Sequence, residues 1–467
     1  MNALEFTLNG VQVIAPDIDP NTTLLNFVRS RGLTGSKEGC AEGECGACAV
    51  AVLRPAQNGG SRYEAVNSCL CLVAGLHGTE VLTVEGIGTP EKLHPAQMAL
   101  TQGGSQCGYC TPGFAVSLFC EYHRPDRDGS VNLEALCGNL CRCTGYRPIV
   151  DGALSLGLPE PGAFTARLRE PALKLEAMTY SSNARDFTRP VSLPDLFAAL
   201  GRNPEAKLIA GGTDVLCEVN LRHTRFDSII SLEGLPELQS LNWSDEFLEI
   251  GAGVTITRLE TTLGDRVPLL AELFPLYASR LIRNRATLGG NLVTASPIGD
   301  SSPVLLALNA QVKLQSARGE RILPLSDFFT GFRKTALSPG EIVVSVLLPR
   351  PFASQVGFQK IAKRGRDDIS TVSVAVALET RGGVIESARL GLGGVAATPS
   401  RAPLTEAFLI GKPLEVTTMR AAGRILESEF TPLSDHRGSA AYRSAMLRNA
   451  LERYVTGLEN GSLEVLV

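Results

Sequence analysis

Residues 39 to 50 read GCAEGECGACAV, in which Cys40, Cys45 and Cys48 form a C-x4-C-x2-C pattern, and Cys69 follows as a fourth thiol. This spacing is typical of a loop that holds a 2Fe-2S cluster. Such a loop has to wrap a compact inorganic core, aim its sulfurs inward and leave backbone N–H groups free to hydrogen-bond the cluster sulfides. The pattern therefore predicts an iron-sulfur centre in the first part of the chain.

The glycines of this loop, Gly39, Gly43 and Gly46, supply the unusual dihedral angles and the close approach that a cluster needs. A structural zinc site and a disulfide pair are the alternatives. Zinc is usually held by paired C-x2-C knuckles, and a long intracellular chain is a poor place for disulfides. The cluster is the interpretation that the residues favour.

The composition is that of an ordinary globular protein, with 44% hydrophobic and 20% charged residues. The 467 residues suggest about three domains at roughly 150 residues each. A net charge of -4 gives no reason to expect nucleic acid or an acidic membrane as a partner. The N-terminal residues MNALEFTLNG lack the features of a secretory signal, and no apolar run is long enough to span a membrane, so we expect a cytoplasmic protein. All twelve cysteines except Cys217 precede residue 144, which indicates metal binding rather than cross-links.

The segment around the cysteine loop has strand and helix signals. LEFTLNGVQVIA alternates about Asn9-Gly10, which predicts a hairpin. Asn21, Thr22 and Thr23 offer caps for a helix through LLNFVRSR that Gly32 closes. AVAVL and TEVLTVEGI are each expected to form a strand. These elements resemble the small plant-ferredoxin fold over residues 1 to 85.

From His94 the periodicity becomes helical in HPAQMALTQ, TPGFAVSLFCEY, NLEALCG and RPIVDGALSLG, which predicts a small bundle. Its loops carry a second cysteine set, Cys107 and Cys110 in QCGYC with Cys141 and Cys143 in CRCTGYRP. A bundle can bring these four thiols together. On spacing alone, zinc remains an alternative ligand for this set.

The order of QCGYCTPG, then GNLCRCTGYRP, after a ferredoxin-type loop resembles the molybdenum hydroxylases, most closely the iron-sulfur and flavin small subunits of bacterial xanthine dehydrogenases. The resemblance implies two 2Fe-2S clusters. Their ligands would be Cys40, Cys45, Cys48 and Cys69 for the first, and Cys107, Cys110, Cys141 and Cys143 for the second. Cys71, Cys120, Cys137 and Cys217 are expected to be structural, although CGNLCRC could supply a ligand from Cys137 instead.

After a predicted linker at residues 159–180, the sequence pattern becomes that of an α/β domain. KLIAGGTDV (residues 207–215) predicts a buried strand, a glycine turn and a helix that opens at Thr213 and Asp214, where an anion could bind. A lone GGTD could also be only a tight turn. RNRATLGGNLVTASPIGDSSP (residues 283–303) is predicted to form a second glycine turn.

Together these segments resemble the FAD domain of the same family rather than the dinucleotide fold marked by G-x-G-x-x-G, which we do not find in the right context. The resemblance implies that FAD is held by a pyrophosphate cradle, a second phosphate-side turn, a carboxylate on the ribose or adenine side, an aromatic ring by the flavin and a lysine. In that order these residues are Leu208, Ile209, Ala210, Gly211, Gly212, Thr213, Asp214 and Val215; Thr287, Leu288, Gly289, Gly290 and Asn291; Asp300; Tyr277; and Lys360.

The last part has a strand pattern in FQKIAKR, TVSVAVALET and VIESARLGL, followed by helices around VTTMRAAGRILESEF and SAAYRSAMLRNALERYVTGL. We therefore expect a multidomain α+β protein. Its parts would be a plant-ferredoxin-like β-grasp domain (1–85), a four-helix 2Fe-2S domain (86–158), the linker (159–180), an α/β FAD-binding domain (181–349) and an α+β C-terminal cap (350–467). The resemblance also implies that the loop from Arg364 to Ile369 lies near the flavin.

Every segment is thus assigned to electron carriage, and no nucleophile or acid-base pair stands out. The five histidines (His77, His94, His123, His223 and His436) have no metal-ligand spacing and are expected to be packing or surface residues. The resemblance implies that substrate oxidation occurs at a molybdenum-pterin in a separate large subunit, in a heterotetramer of two small and two large chains. Electrons would then pass through both clusters to FAD and on to NAD while hypoxanthine or xanthine becomes urate.

Two other functions stay open. One is the equivalent subunit of a hydroxylase that acts on aldehydes or other N-heterocycles. The other is a flavin and iron-sulfur NADH reductase or redox sensor that works without a partner. Against the second, Gln106 lies in a segment that resembles one whose glutamine contacts a pterin, and no basic patch indicates DNA binding.

Overall fold

A computed structural model describes residue 1 and residues 3 to 460. Asn2 and residues 461 to 467, which belong to the predicted first and last domains, lie outside the described residues.

The strands follow one another along the chain from the ferredoxin-like part to the C-terminal part. They are β1 (Ala3–Leu8), β2 (Val11–Pro16), β3 (Ala49–Pro55), β4 (Ser61–Asn67), β5 (Glu80–Leu82), β6 (Met178–Ser182), β7 (Arg185–Arg189), β8 (Lys207–Ile209), β9 (Ser228–Ser231), β10 (Leu241–Trp243), β11 (Phe247–Gly251), β12 (Gln311–Ser316), β13 (Gly319–Pro324), β14 (Phe329–Gly331), β15 (Lys334–Thr335), β16 (Ile342–Pro349), β17 (Gln355–Ile361), β18 (Val372–Arg381), β19 (Val384–Gly393) and β20 (Ser400–Arg401).

The helices are mostly short. They are α1 (Leu24–Ser30), α2 (Val84–Ile87), α3 (Pro95–Met98), α4 (Thr111–Tyr122), α5 (Arg147–Leu154), α6 (Ala163–Arg167), α7 (Leu193–Arg202), α8 (Val215–Leu221), α9 (Ile256–Leu263), α10 (Pro268–Leu273), α11 (Arg280–Arg283), α12 (Leu288–Val293), α13 (Ser301–Ala307), α14 (Leu325–Phe328), α15 (Pro403–Leu409), α16 (Val416–Glu429) and α17 (Ala440–Asn460).

The described residues form two compact units, which we call unit 1 and unit 2. Unit 1 comprises Met1–Leu235 with Ser279–Ala286, and unit 2 comprises Pro236–Ala278 with the described residues from Thr287 onward. The predicted FAD-binding segment, 181–349, contributes residues to both units.

The first sheet of unit 1 has the order β2-β1-β5-β3-β4, in which β1 and β5 are parallel and the other neighbours antiparallel. The predicted hairpin is confirmed: Asn9 and Gly10, with φ of 52° and 78°, form the tight turn between β1 and β2. Thr23 caps α1 by accepting from the Asn26 N–H at 3.3 Å, and Gly32 follows the helix with φ of 82°. The arrangement is the expected β-grasp sheet with a helix packed on it.

Three segments differ from the sequence expectation. TEVLTVEGI forms only the short strand β5, because the Asn9 side chain accepts from the Thr83 N–H at 2.8 Å and the chain then enters α2. NLEALCG forms a single 3₁₀ turn, Leu133–Leu136, in place of a full helix. The linker contains α6, and Leu168 accepts from the Ser61 N–H at 2.9 Å. The short β5 and the linker each contact a segment that is distant in the sequence.

The helices of residues 95–154 pack around α4, nearly all of which is buried. At its end, the Nε2 atoms of His94 and His123 lie 3.1 Å apart among the rings of Tyr63, Phe119 and Phe164. His94 Nδ1 accepts from the Ala96 N–H at 3.1 Å, so His94 carries its proton on Nε2 and donates it to His123. Burial lowers the pKa of His94 to about 4. Burial, and also the repulsion that a protonated His94 would exert, lowers the pKa of His123 to about 3. Both rings are therefore neutral packing groups.

The second sheet of unit 1 has the order β6-β7-β9-β8, with β7 and β8 each parallel to β9. Arg189 in β7 is fully buried and donates to the carbonyls of Glu176, Gly75 and His77. Since Gly75 and His77 follow the ferredoxin-like cysteines, this arginine ties the two sheets of unit 1 together.

Unit 2 contains a sheet of order β10-β11-β16-β12-β13 and another of order β17-β18-β19-β20. The expected strands and helices of the C-terminal part are confirmed as β17, β18, β19, α16 and α17. Helix α13 lies against β19 so closely that a Cβ on Gly391 would stand 1.8 Å from the Pro303 carbonyl. In the described part of the chain, no helix is both long and apolar enough to cross a membrane.

We predict that His123→Phe reduces the acid sensitivity of the helical bundle. An unfolded histidine has a pKa near 6.5, whereas both folded histidines stay neutral to much lower pH, so stability present above pH 6.5 is lost as the pH falls. At pH 5.5 each buried histidine should lower the free energy of unfolding by about 1 kcal/mol. Urea unfolding at pH 7.5 and 5.5 should show a smaller loss in His123→Phe than in the wild type.

The control for this experiment is His223→Asn, at an exposed position of unit 1 with φ of 54° that asparagine tolerates. Between pH 7.5 and 5.5, His223→Asn should lose as much stability as the wild type does. An equal loss in wild type and His123→Phe would contradict the role given to the buried pair.

Candidate functional site

The first cysteine set forms two pairs in unit 1. The Sγ atoms of Cys48 and Cys69 lie 3.4 Å apart and both residues are buried. Cys40 and Cys45, which are half-buried, hydrogen-bond each other. The hydrogen bond from the Cys45 thiol lowers the pKa of Cys40 to about 5, and that from Cys69 lowers the pKa of Cys48. In each pair, the pKa of one thiol is therefore shifted toward the thiolate, the form that binds metals.

The second cysteine set is also paired. Cys107 contacts Cys143, and both are exposed, while Cys110 contacts Cys141. Cys110 directly precedes α4, and Cys141 and Cys143 precede α5. The bundle thus brings together thiols that are separated by about thirty residues, as the sequence predicted.

No group of three or more His, Cys, Asp or Glu side chains within the described residues is arranged to hold a single metal ion. A 2Fe-2S core requires a different ligand arrangement from a single metal ion, because each of its two irons binds two thiolates. Two pairs of thiols in each set provide that pattern. The donor sets therefore fit a diiron cluster, and the arrangement is the observation on which the cofactor assignment rests.

The first cysteine loop turns its carbonyl groups outward to donors from other segments. The Gly43 carbonyl accepts from Asn67 Nδ2 at 2.9 Å, and the Ala41 carbonyl accepts from Asn220 Nδ2 at 2.8 Å. On the inner side, the N–H groups of Glu42 and Glu44 face the Cys40 thiol. This is the polarity that a loop around an anionic cluster requires.

The two cysteine sets are connected by backbone contacts. The Leu140 N–H donates to the Cys45 carbonyl at 3.0 Å, and Leu140 directly precedes Cys141. A Cβ on Gly113 would lie 2.2 Å from the Gly46 carbonyl, and one on Gly46 would lie 2.4 Å from the Gly138 carbonyl. One hydrogen bond therefore links a cysteine of the first set to the neighbour of a cysteine of the second.

Cys71, Cys120 and Cys217 are not members of these thiol pairs. Burial raises the pKa of Cys71 and Cys120, as expected for buried packing thiols. Cys217 on α8 faces the Glu42 carbonyl, with Sγ at 3.9 Å, and burial raises its pKa to about 12. Cys137 ends the 3₁₀ turn Leu133–Leu136.

The glycine turn of residues 208–215 has the predicted strand-turn-helix form, running from β8 into α8. A Cβ on Gly211 would stand 1.8 Å from the Arg285 carbonyl, and Gly212 has φ of 82°, so the turn requires both glycines. Among the described residues, the N–H groups of Gly211, Gly212, Thr213 and Asp214 donate to no protein acceptor. Consecutive free amides of this kind suit an anion such as a pyrophosphate.

A partly buried charge cluster supports this turn, and sequence reasoning missed it. Glu233 lies 2.8 Å from both Arg285 and Arg54, and Arg285 Nε also donates to the Gly211 carbonyl at 3.3 Å. Burial alone would raise the pKa of Glu233, but the two arginines lower it to about 2. The charged pairs hold the Arg285 backbone against the turn.

In unit 2, the segment Thr287 to Asn291 is the start of helix α12 and not a glycine turn as predicted. Thr287 caps the helix by accepting from the Gly290 N–H at 3.1 Å. Gly289 is needed for packing, since its Cβ would lie 2.5 Å from Ala252. The cap and this contact fold the glycines into a helix.

Asp300 and Lys360 are brought together in unit 2 as a nearly buried ion pair. Lys360 Nζ lies 2.6 Å from Asp300 Oδ2 and also donates to the Leu276 carbonyl at 2.8 Å. Ser370 donates to Asp300 Oδ1 at 2.5 Å. Tyr277 is buried beside this group, and burial raises its pKa. Both carboxylate oxygens of Asp300 thus have protein partners, which the sequence did not indicate.

Models of known protein families match four parts of the chain. They are the 2Fe-2S iron-sulfur cluster binding domain over residues 6–74, the 2Fe-2S binding domain over 83–154, the FAD binding domain in molybdopterin dehydrogenase over 180–351, and the CO dehydrogenase flavoprotein C-terminal domain over 358–458. The order of these domains agrees with the order of the motifs.

Among curated proteins, a xanthine dehydrogenase of Emericella nidulans is 32% identical over 97% of this chain, which spans only 38% of that protein's length. Among solved structures, a chain of quinoline 2-oxidoreductase from Pseudomonas putida 86 is 28% identical, with a TM-score of 0.56, over 62% of this chain and 99% of its own length. A chain of the carbon monoxide dehydrogenase from Hydrogenophaga pseudoflava is 30% identical, with a TM-score of 0.55, over 57% of this chain and 94% of its own.

The domain order and the relatives agree with the paired thiols and the glycine turn. The chain therefore belongs to the molybdenum hydroxylase family of oxidoreductases, of which it carries two 2Fe-2S domains, an FAD-binding domain and the flavoprotein C-terminal domain.

Proposed function

We propose that this chain is the electron-transfer subunit of an NAD-linked xanthine dehydrogenase. The observation that carries the proposal is the hydrogen bond from the Leu140 N–H to the Cys45 carbonyl, which joins the two cysteine sets through few atoms. When bound, the clusters supply one-electron carriage and FAD collects electrons in pairs for transfer to NAD.

The proposed ligands are the two pairs of each set. Cys40, Cys45, Cys48 and Cys69 hold the first cluster, and Cys107, Cys110, Cys141 and Cys143 hold the second. Because Cys107 and Cys143 are exposed, the second cluster is the one that a partner can approach. Large apolar side chains, Tyr109, Leu140 and Tyr146, are also exposed in these loops, as an interface would require. We therefore place electron entry from a molybdenum-pterin subunit at this second cluster.

The proposed FAD residues are those that the resemblance implied. The free amides of the 208–215 turn bind the pyrophosphate, and the α12 start, Asp300, Tyr277 and Lys360 serve the remainder of the nucleotide and the flavin. The Asp300 carboxylate accepts from Lys360 and Ser370, so it acts on FAD in concert with these two partners. The proposed domain boundaries remain 1–85, 86–158, 159–180, 181–349 and 350–467.

The substrate is proposed from the xanthine dehydrogenases among the relatives. The chain holds no substrate pocket in this proposal, because hydroxylation of hypoxanthine and xanthine to urate belongs to the partner. We propose a cytoplasmic heterotetramer of two small and two large chains. The quinoline and carbon monoxide enzymes among the structural matches favour, as the second candidate, the equivalent subunit of a hydroxylase with another substrate.

We predict that Cys45→Ser removes about half of the iron from the purified chain, from about four to about two irons, and leaves FAD bound. The control is Cys137→Ser, which should keep all iron and both cluster signals in low-temperature electron paramagnetic resonance. Iron analysis and flavin absorbance measure both results. Unchanged iron in Cys45→Ser, or a lost signal in Cys137→Ser, would show that the ligand set is wrong.

We also predict that the two half-reactions separate between chains. Without its partner, the chain should take electrons from NADH, which bleaches the flavin, and pass them to an artificial acceptor, but it should not oxidise xanthine. Addition of a molybdenum-loaded large subunit should restore xanthine-dependent NADH formation. Cys141→Ser should abolish this restored reaction and keep NADH bleaching of the flavin.

Three results would contradict the proposal. Oxidation of a purine by the chain alone would mean that a substrate site lies within it. A flavin that NADH does not bleach would remove NAD as the acceptor. Restored activity with quinoline or an aldehyde but not with xanthine would favour the second candidate.

A further inference from the structure

Asn220 on helix α8 holds both sides of the first cysteine loop. Its Nδ2 donates to the Ala41 carbonyl at 2.8 Å and to the Cys69 carbonyl at 2.9 Å. Ala41 follows Cys40 directly, and Cys69 is the distant fourth thiol of the set. One amide group therefore joins the start of the loop to the segment that closes it.

The contact with Ala41 fixes the direction of a peptide group. A trans peptide is planar, so its C=O and N–H point in opposite directions. The Ala41 C=O points outward to Asn220, and the N–H of the same peptide, which belongs to Glu42, faces the Cys40 thiol. Ala41 itself has φ of 60°, an unfavourable value for alanine, so an external contact is needed to hold this orientation.

We propose that Asn220 is a positioning residue that raises the reduction potential of the first cluster. The inference rests on the proposed function, in which Cys40 and Cys69 are cluster ligands. Hydrogen bonds to cluster or ligand sulfur stabilise the reduced state, which carries one more negative charge, more than the oxidised state. Asn220 acts through the Glu42 N–H and touches neither sulfur nor iron.

The matching prediction is that Asn220→Leu lowers the potential of the first cluster only. Leucine has a similar size but no donor, so the Ala41–Glu42 peptide loses its outward anchor and the N–H···S hydrogen bond weakens. We expect at least a threefold shift toward the oxidised form, which is about 28 mV at 59 mV per tenfold change. Redox titration of the full chain, followed by electron paramagnetic resonance, measures it, and the second cluster serves as an internal reference.

A second variant and a control separate the hydrogen bond from folding and charge. Asn220→Asp is nearly isosteric and also lacks the donor, so it tests the inference if Asn220→Leu does not fold. Its added charge is matched by Leu221→Asp, at an exposed neighbouring position of α8. The potential should fall further in Asn220→Asp than in Leu221→Asp, with iron and FAD contents unchanged.

The inference is overturned if iron-replete Asn220 variants keep the wild-type potential, or if Asn220→Asp and Leu221→Asp shift it equally. Loss of first-cluster iron from both Asn220 variants would also overturn it, since Asn220 would then hold the loop itself. These outcomes leave the proposed function intact. A wild-type chain without a first-cluster signal, or a signal that survives Cys45→Ser, would instead reject the ligand assignment.

Discussion

The contact between the two cysteine loops is the constraint on which unit 1 depends. A Cβ on Gly46 would collide with the Gly138 carbonyl and one on Gly113 with the Gly46 carbonyl, and the Leu140 N–H donates to the Cys45 carbonyl. Such close packing fixes the β-grasp part and the helical bundle relative to each other. It also connects the proposed clusters through one hydrogen bond and the adjoining covalent bonds of Cys45, Leu140 and Cys141, so a single packing requirement serves both the fold and the proposed electron transfer.

Buried charges keep the surrounding segments in place. Glu134 in the helical part pairs with Arg283, which is fully buried, at 2.6 Å and with Arg280 at 3.0 Å. Removing one partner of a buried pair typically costs about 3–5 kcal/mol, because the other charge stays behind without its counterion. These pairs, with Glu233 and Arg285, anchor Ser279–Ala286 in unit 1, although the segment is distant in sequence from most of that unit.

In unit 2 the corresponding organising group is Asp300. It binds Lys360 near the end of β17 and Ser370 just before β18, and these two residues flank the loop that contains KRGRDD. One carboxylate thus fixes both ends of a loop rich in charged residues. The contact between Asp300 and Lys360 is electrostatic, and it explains why the Lys360 side chain is buried.

The sequence by itself determined the elements whose causes are local. The spacing of Cys40, Cys45 and Cys48 predicted a cluster loop, Asn9-Gly10 a hairpin and Thr23 a helix cap, because each depends on the dihedral angles and donors of a few neighbouring residues. The tertiary structure alone decided which thiols pair, that Asn220 reaches the first loop, that α12 replaces a glycine turn and that β5 is short. Those features depend on contacts between segments far apart in the chain, such as Asn9 with Thr83 and Gly289 with Ala252, which no local pattern encodes.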